Sequence, residues 1–408
     1  MLAIVFYLLI YVKSKDALHP LAIGVFIWFL TASLSNVQQF YDDSLQDIIS
    51  PLTNFCIFIS GFSFSLPFLL SKKLDKSQFK MQALYYTGFY KLLFNIVILV
   101  SLVAFLIRFN SIILTPPLLF GSSADLKNTV PQAIPFLNYF DIATPYLALL
   151  CFFELRYSIN FSKTRKKLLI FYIGYAVISA LLYKVSRGEF LIFVLGFLYL
   201  LFIAKKISFN FTRIFIVLSL VSLFLYVGAL RISEGSRVST QFGDGGLNII
   251  LSQIYTYVAM NFQNLNILVN SNLEPTYIWG SLKFFLKIFF NGLYEKNNID
   301  LTDYTTSFFN AKTFIYYFYN DLGVAGIIIY PLIIGLILQL IYNKAAKDIK
   351  YYLLLACLMK AIIFMFFGNY FFGELVLLVP YLIALLFISM IVTVSTLRVN
   401  AVTNDNIK

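Results

Sequence analysis

Residues 87–107 read TGFYKLLFNIVILVSLVAFLI, an apolar run interrupted by one charge, Lys91. At a rise of about 1.5 Å per residue, a helix of this length matches a hydrocarbon core about 30 Å thick. With no water at hand, such a run satisfies its backbone groups only as a helix, because barrel strands would alternate polar and apolar residues. Similar runs recur on both sides, at about 20–34, 48–70, 138–157, 168–183, 190–204, 212–230, 321–342, 351–367 and 374–394. The whole chain is 60% hydrophobic and only 12% charged, about half the charge of an ordinary soluble domain. The expected fold is an all-α polytopic integral membrane protein with about 10 or 11 transmembrane helices. The larger number applies if Met1 to Val12, which is short for a span, also crosses.

The connectors supply an orientation. Lys72, Lys73, Lys76 and Lys80 precede the run at 87–107, Lys163, Arg165, Lys166 and Lys167 follow the one at 138–157, and Lys344, Lys347 and Lys350 follow the one at 321–342. The acidic turn with Asp42, Asp43 and Asp47 falls on the opposite side. Basic connectors stay in the cytoplasm during insertion, so these clusters are expected inside. The same clustering explains the formal charge of +12 without a nucleic-acid partner. Cys56, Cys151 and Cys357 lie in or beside apolar runs with no CxxC spacing, and His19 is the one histidine. No disulfide framework or zinc site is encoded. The first residues have neither a basic leader nor a small-residue cleavage site, so they do not read as a removed signal peptide.

This topology gives three regions: N-terminal transmembrane helices at 1–230, a large external loop at 231–320, and C-terminal transmembrane helices with a cytoplasmic tail at 321–408. Within the loop, Leu247, Ile250, Leu251, Ile254, Val258, Phe262, Leu265 and Val269 share one helical face. Asn248, Ser252, Gln253, Thr256, Gln263 and Asn270 share the other, an uncharged amide and hydroxyl surface suited either to sugars or to resting on the bundle. A second segment, YIWGSLKFFLKIFFNGLY, sets Lys283 and Lys287 one turn apart among aromatics, as an interfacial helix near lipid phosphates would.

Arginine outside the cytoplasm runs against the insertion bias, which singles out Arg187 in SRGEF and Arg231 and Arg237 in RISEGSR. Guanidinium groups bind diphosphate through paired N–H donors without a metal, although a span-end arginine also snorkels to headgroups. Glu189, Glu234 and Asp321 are the candidate bases, and each is equally a candidate counter-ion for an arginine. Asp321 also reads as a helix cap, Gly323 and Gly326 as small residues for close helix packing, and Glu154 and Glu374 as structural or interfacial. No GxGxxG, Walker, HExxH or GxSxG motif occurs.

SRGEF at the head of an apolar run, a later R-x5-R before a long outer loop, and N-x2-T-x7-D-x-G-x2-G closing that loop resemble the Wzy-type oligosaccharide repeat-unit polymerases of bacterial surface-polysaccharide assembly. The matching positions are Arg187, Gly188, Arg231, Asn310, Thr313, Asp321, Gly323 and Gly326. The resemblance implies a metal-independent membrane glycosyltransferase, without a cofactor, in the bacterial cytoplasmic (inner) membrane. Its substrate would be an undecaprenyl-diphosphate-linked oligosaccharide, polymerised on the outer face for O-antigen, capsule or exopolysaccharide. A polysaccharide chain-length regulator is an implied partner beside the membrane lipids. Arg187, Arg231, Glu189, Glu234 and Asp321 are then the candidate catalytic residues. Arg237, Lys283, Lys287, Asn310, Thr313 and Tyr316 are the candidate substrate contacts. The alternatives are an O-antigen-ligase-like transferase, which typically uses an outer-face histidine, and a lipid-linked oligosaccharide flippase.

Overall fold

The computed structural model describes residues 1–37, 46–71, 82–120, 130–159, 162–204, 246–271, 273–282, 286, 289–290, 292, 301–306, 309–373 and 375–395. Helices dominate: α1 (Leu2–Ser14), α2 (Pro20–Ser35), α3 (Pro51–Leu70), α4 (Gly88–Phe109), α5 (Pro117–Phe120), α6 (Leu137–Tyr157), α7 (Lys163–Ile178), α8 (Arg187–Ala204), α9 (Gly246–Val269), α10 (Tyr316–Leu322), α11 (Val324–Ala345), α12 (Tyr351–Ile363) and α13 (Leu375–Met390). Among the described residues, four segments are long and apolar enough to cross a membrane: Pro51–Leu70, Gly88–Phe120, Lys163–Tyr183 and Val324–Ala345. Five more apolar helices are shorter. The expected run at 212–230 lies outside the described residues.

Helix starts follow local chemistry. Ser50, Thr87 and Ser162 each cap the helix that follows by accepting a backbone N–H from residue Thr53, Tyr90 or Arg165. On α4, Leu92, Ile96, Leu99, Val103 and Leu106 are exposed at helical spacing, while Phe94, Ile98, Ser101 and Phe105 are buried. A stripe of exposed aliphatics along one face, with the packed face opposite, is what a helix bordered by lipid requires.

The chain folds as two compact units. The first comprises Met1–Leu74, Gly235–Leu340 and Lys360–Leu378. Here α2 packs against α1, α3 and α9. Gly335 lets α11 approach α3: a Cβ there would lie 2.1 Å from the Phe64 carbonyl oxygen. The second unit comprises Asp75–Glu234, Ile341–Met359 and Val379–Lys408, with α6 packed on α4, α7 and α8. It also contains a two-stranded antiparallel sheet, β1 (Gln82–Tyr86) and β2 (Ile391–Ser395). The last apolar run therefore ends earlier than expected from its hydropathy. Ile391, Val392, Thr393 and Val394 are β-branched residues that lose rotamer freedom in a helix and suit a strand.

That sheet gathers one end of the second unit. Ile159 N donates to the Leu84 carbonyl at 3.3 Å, Lys350 Nζ to the Ile391 carbonyl at 3.0 Å, and Thr393 Oγ1 to Asp348 Oδ1 at 2.6 Å. All of these belong to segments expected on the cytoplasmic side. At the other end meet the C-terminus of α4, the N-terminus of α6 and the α7–α8 turn, all expected outside. Segments expected on one side of the membrane thus meet one another within this unit, as do segments expected on the other.

Candidate active site

At that second end the helices are tied by ions. Lys184 Nζ lies 2.7 Å from Asp141 Oδ1 and 2.8 Å from Glu189 Oε2, and donates to the Asp141 carbonyl at 2.8 Å. Arg108 closes the cluster from α4, with NH1 2.6 Å from Asp141 Oδ2 and Nε donating to the Pro131 carbonyl at 3.0 Å. Lys184 and Asp141 are both buried; the ammonium donates to the Asp141 carbonyl and to Glu189 Oε2, with Asp141 Oδ1 beside it as an ion-pair partner. Two cations and two carboxylates balance, which is the condition under which buried charge is tolerated.

The turn carrying these groups is unusual. The helix of α7 widens into a π-type turn over Ser179–Tyr183. Lys184 N then donates to the Ser179 carbonyl, and Ser186 N to the Ala180 carbonyl at 2.9 Å. Between them Val185 is fully buried at φ 45°, a conformation that a β-branched residue adopts only when its surroundings enforce it. Its side chain packs with Ala180, Leu181, Phe190 and Val194. Ser186 Oγ then accepts the Glu189 N–H at 3.3 Å, and α8 begins at Arg187, which is placed here by its backbone. Glu189 stands two residues on as the counter-ion of Lys184.

Asp321 belongs to the first unit and is buried at the end of α10. Its Oδ1 accepts from Thr276 Oγ1 at 2.6 Å and from Gly280 N at 2.8 Å, and its Oδ2 accepts from Ser281 N at 2.8 Å. Around it, Thr276 N and Tyr277 N donate to the carbonyls of Asn320 and Asp321, and Asn320 Nδ2 donates to Thr276 Oγ1. The carboxylate thus holds the turn at Gly280 and Ser281 by accepting both of its backbone N–H groups. A helix cap was an expected role for Asp321; its carboxylate instead accepts the N–H groups of the turn at Gly280 and Ser281.

The rest of the motif at the close of the loop also builds this junction. Gly323 sits at φ 59° between α10 and α11, and a Cβ on Gly326 would lie 2.0 Å from the Phe318 carbonyl oxygen. Thr313 is buried, Asn310 is exposed, and the buried Tyr316 hydroxyl donates to the Tyr304 carbonyl at 3.0 Å. Burial pushes the Tyr316 phenol above its usual range, so it remains a donor.

Of the expected amide and hydroxyl face of α9, Thr256 and Gln263 are buried and Asn270 is exposed, and the side chains of Asn248, Ser252 and Gln253 lie outside the described residues. Thr256, Asn261, Gln263, Asn264 and Asn266 are buried together with Phe262 and Leu265, while Ile254 is exposed. Asn264 donates to the carbonyls of Phe309 and Ala311 and accepts from Thr306 N at 2.8 Å. Asn266 accepts from Ser50 N and Thr53 Oγ1, both at 2.9 Å, and donates to the Ile48 carbonyl. These amides fasten the first acidic turn and the close of the long loop to one helix. Asp47, from the acidic turn, meets the same helix, since Gln263 Nε2 donates to Asp47 Oδ2 at 3.2 Å.

Asp42, Asp43, Arg231, Glu234, Arg237, Lys283 and Lys287 lie outside the described residues. Arg187 and Glu189 share one turn of the second unit, and Asn310, Thr313, Tyr316 and Asp321 share one region of the first. The sequence reading did not single out Arg108, Asp141 and Lys184. A carboxylate within an apolar run, as at Asp141, was the available signal. Glu154 is a structural partner, as expected: it binds Arg165 through both oxygens, Nε–Oε1 at 2.9 Å and NH2–Oε2 at 2.8 Å. No protein-family model, curated protein or solved structure matches the chain.

Proposed function

We propose that this chain is a bacterial inner-membrane glycosyltransferase that polymerises undecaprenyl-diphosphate-linked oligosaccharide repeat units on the outer face of the membrane. The observation that carries the reading is the turn at Lys184–Glu189. A buried ion cluster and an enforced backbone conformation fix the place where Arg187 begins α8, in a turn that the charge of the connectors assigns to the outer face. Such pre-organisation suits a group that stabilises charge developing on a leaving group.

In the reaction, the anomeric C–O bond to the diphosphate breaks and a bond forms between that carbon and an acceptor sugar hydroxyl. The undecaprenyl diphosphate leaves with the bonding electron pair. Arg187, with Arg231 and Arg237, offsets the charge on the diphosphate. The hydroxyl proton passes to a carboxylate as the glycosidic bond breaks. Asp321 is an architectural residue in this account, because three donors occupy its oxygens and the side chain is buried. Glu189 and Glu234 remain as the proton acceptors. A deletion strain tests the reading against its rivals by the glycan on the cell surface. Single repeat units on the acceptor fit a polymerase, absence of any repeat unit means a flippase, and polymer retained on the lipid carrier means a ligase.

A further inference from the structure

Resting on that reading of Arg187, we propose that Lys184 is a positioning residue, and that Asp141 and Arg108 are its supports. Three observations carry this. Lys184 joins the start of α6, through both the side chain and the carbonyl of Asp141, to the first turn of α8, through Glu189. Its own backbone closes the π-type turn, directly before the buried left-handed Val185. The cluster that it centres is internally neutral, so among the described residues at this end it fixes geometry without adding net positive charge. An ammonium held between Asp141 on α6 and Glu189 on α8 sets the point at which the α8 backbone starts, and with it the backbone of Arg187, three residues away. Among the described residues Lys184 is the side chain that ties this turn to Asp141, so its loss removes one of the constraints that hold Val185 at positive φ.

The test uses purified full-length protein, with two binding and activity readouts. Isothermal calorimetry with inorganic diphosphate reports the anion site independently of glycosyl transfer. Polymer formation from a lipid-linked repeat unit reports the reaction. Lys184→Gln is expected to weaken diphosphate binding to the extent that Arg187→Ala does, and to lower turnover by about 100-fold, the scale of an ångström-sized misplacement. The Lys184→Gln/Arg187→Ala pair is expected to be no worse than Arg187→Ala alone, as for residues acting as one unit. Arg108→Gln removes the outermost contact, keeps Lys184 paired, and is expected to show a smaller loss in the same direction if Lys184→Gln does not fold. Additive losses in the double variant, or unchanged diphosphate binding in both Lys184→Gln and Arg108→Gln, overturn the proposal. Wild type that binds diphosphate but forms no polymer overturns the polymerase reading and leaves the positioning result legible in the calorimetry.

Discussion

The carboxylate of Asp321 receives the backbone N–H of Ser281 at 2.8 Å, across 40 residues of chain. With Gly280 N and Thr276 Oγ1 on the other oxygen, this contact fixes the turn at 276–281 to the α10–α11 junction. Asp321→Ala leaves the N–H groups of Gly280 and Ser281 without their acceptor, and a buried donor left unpaired costs about 1–3 kcal/mol. The expected outcome is a loss of folded protein, read as a lower melting temperature and low yield in detergent. A variant that is fully stable but inactive would instead make Asp321 a reacting group.

Close backbone approach gives a second prediction. Gly326→Ala puts a methyl group into the Phe318 carbonyl, whereas Gly174→Ala, inside α7, meets nothing within 4 Å. Gly326→Ala is expected to destabilise by about 1–3 kcal/mol, and Gly174→Ala to be neutral or slightly stabilising. Thermal unfolding of the two proteins side by side checks this, and equal midpoints would contradict it.

Much of this architecture was legible in the sequence. Apolar runs placed most helices within a few residues, because length and hydropathy are what a bilayer constrains. Segments that the basic connectors group on one side do meet in the second unit, where Ile159 bonds Leu84 and Lys350 bonds Ile391. The close packing at Gly326 and the structural role of Glu154 were also readable. The burial of Gln263, Asn264 and Asn266 was not. Helical periodicity separates two faces but does not say that both are covered, and α9 packs against α2, α3 and α10. Lys184 and Asp141 escaped notice because their partnership joins residues 43 apart, which no local pattern records.

Sidedness is checked by labelling. The three native cysteines are buried, and both Asn310 and Lys166 are exposed. A membrane-impermeant thiol reagent added to intact cells is expected to modify Asn310→Cys and to leave Lys166→Cys untouched until the membrane is opened. Modification of Lys166→Cys in sealed cells would invert the topology.

Guanidinium geometry separates diphosphate recognition from simple charge. At Arg187, Arg231 and Arg237, lysine is expected to fail nearly as badly as alanine, because an ammonium cannot offer paired, coplanar donors. Polymer length on whole-cell glycan gels is the measure. Full-length polymer from all three lysine variants would show that a point charge suffices.

The most direct measurement is polymerisation by the purified protein in vesicles, supplied with an undecaprenyl-diphosphate-linked repeat unit and excess chelator. Arginines take the place of a metal in this account, so a ladder of products one repeat apart is expected, with undecaprenyl diphosphate released and no dependence on added cation. Lipid-linked single units recovered unchanged, or a ladder abolished by chelator and restored by magnesium or manganese, would contradict it.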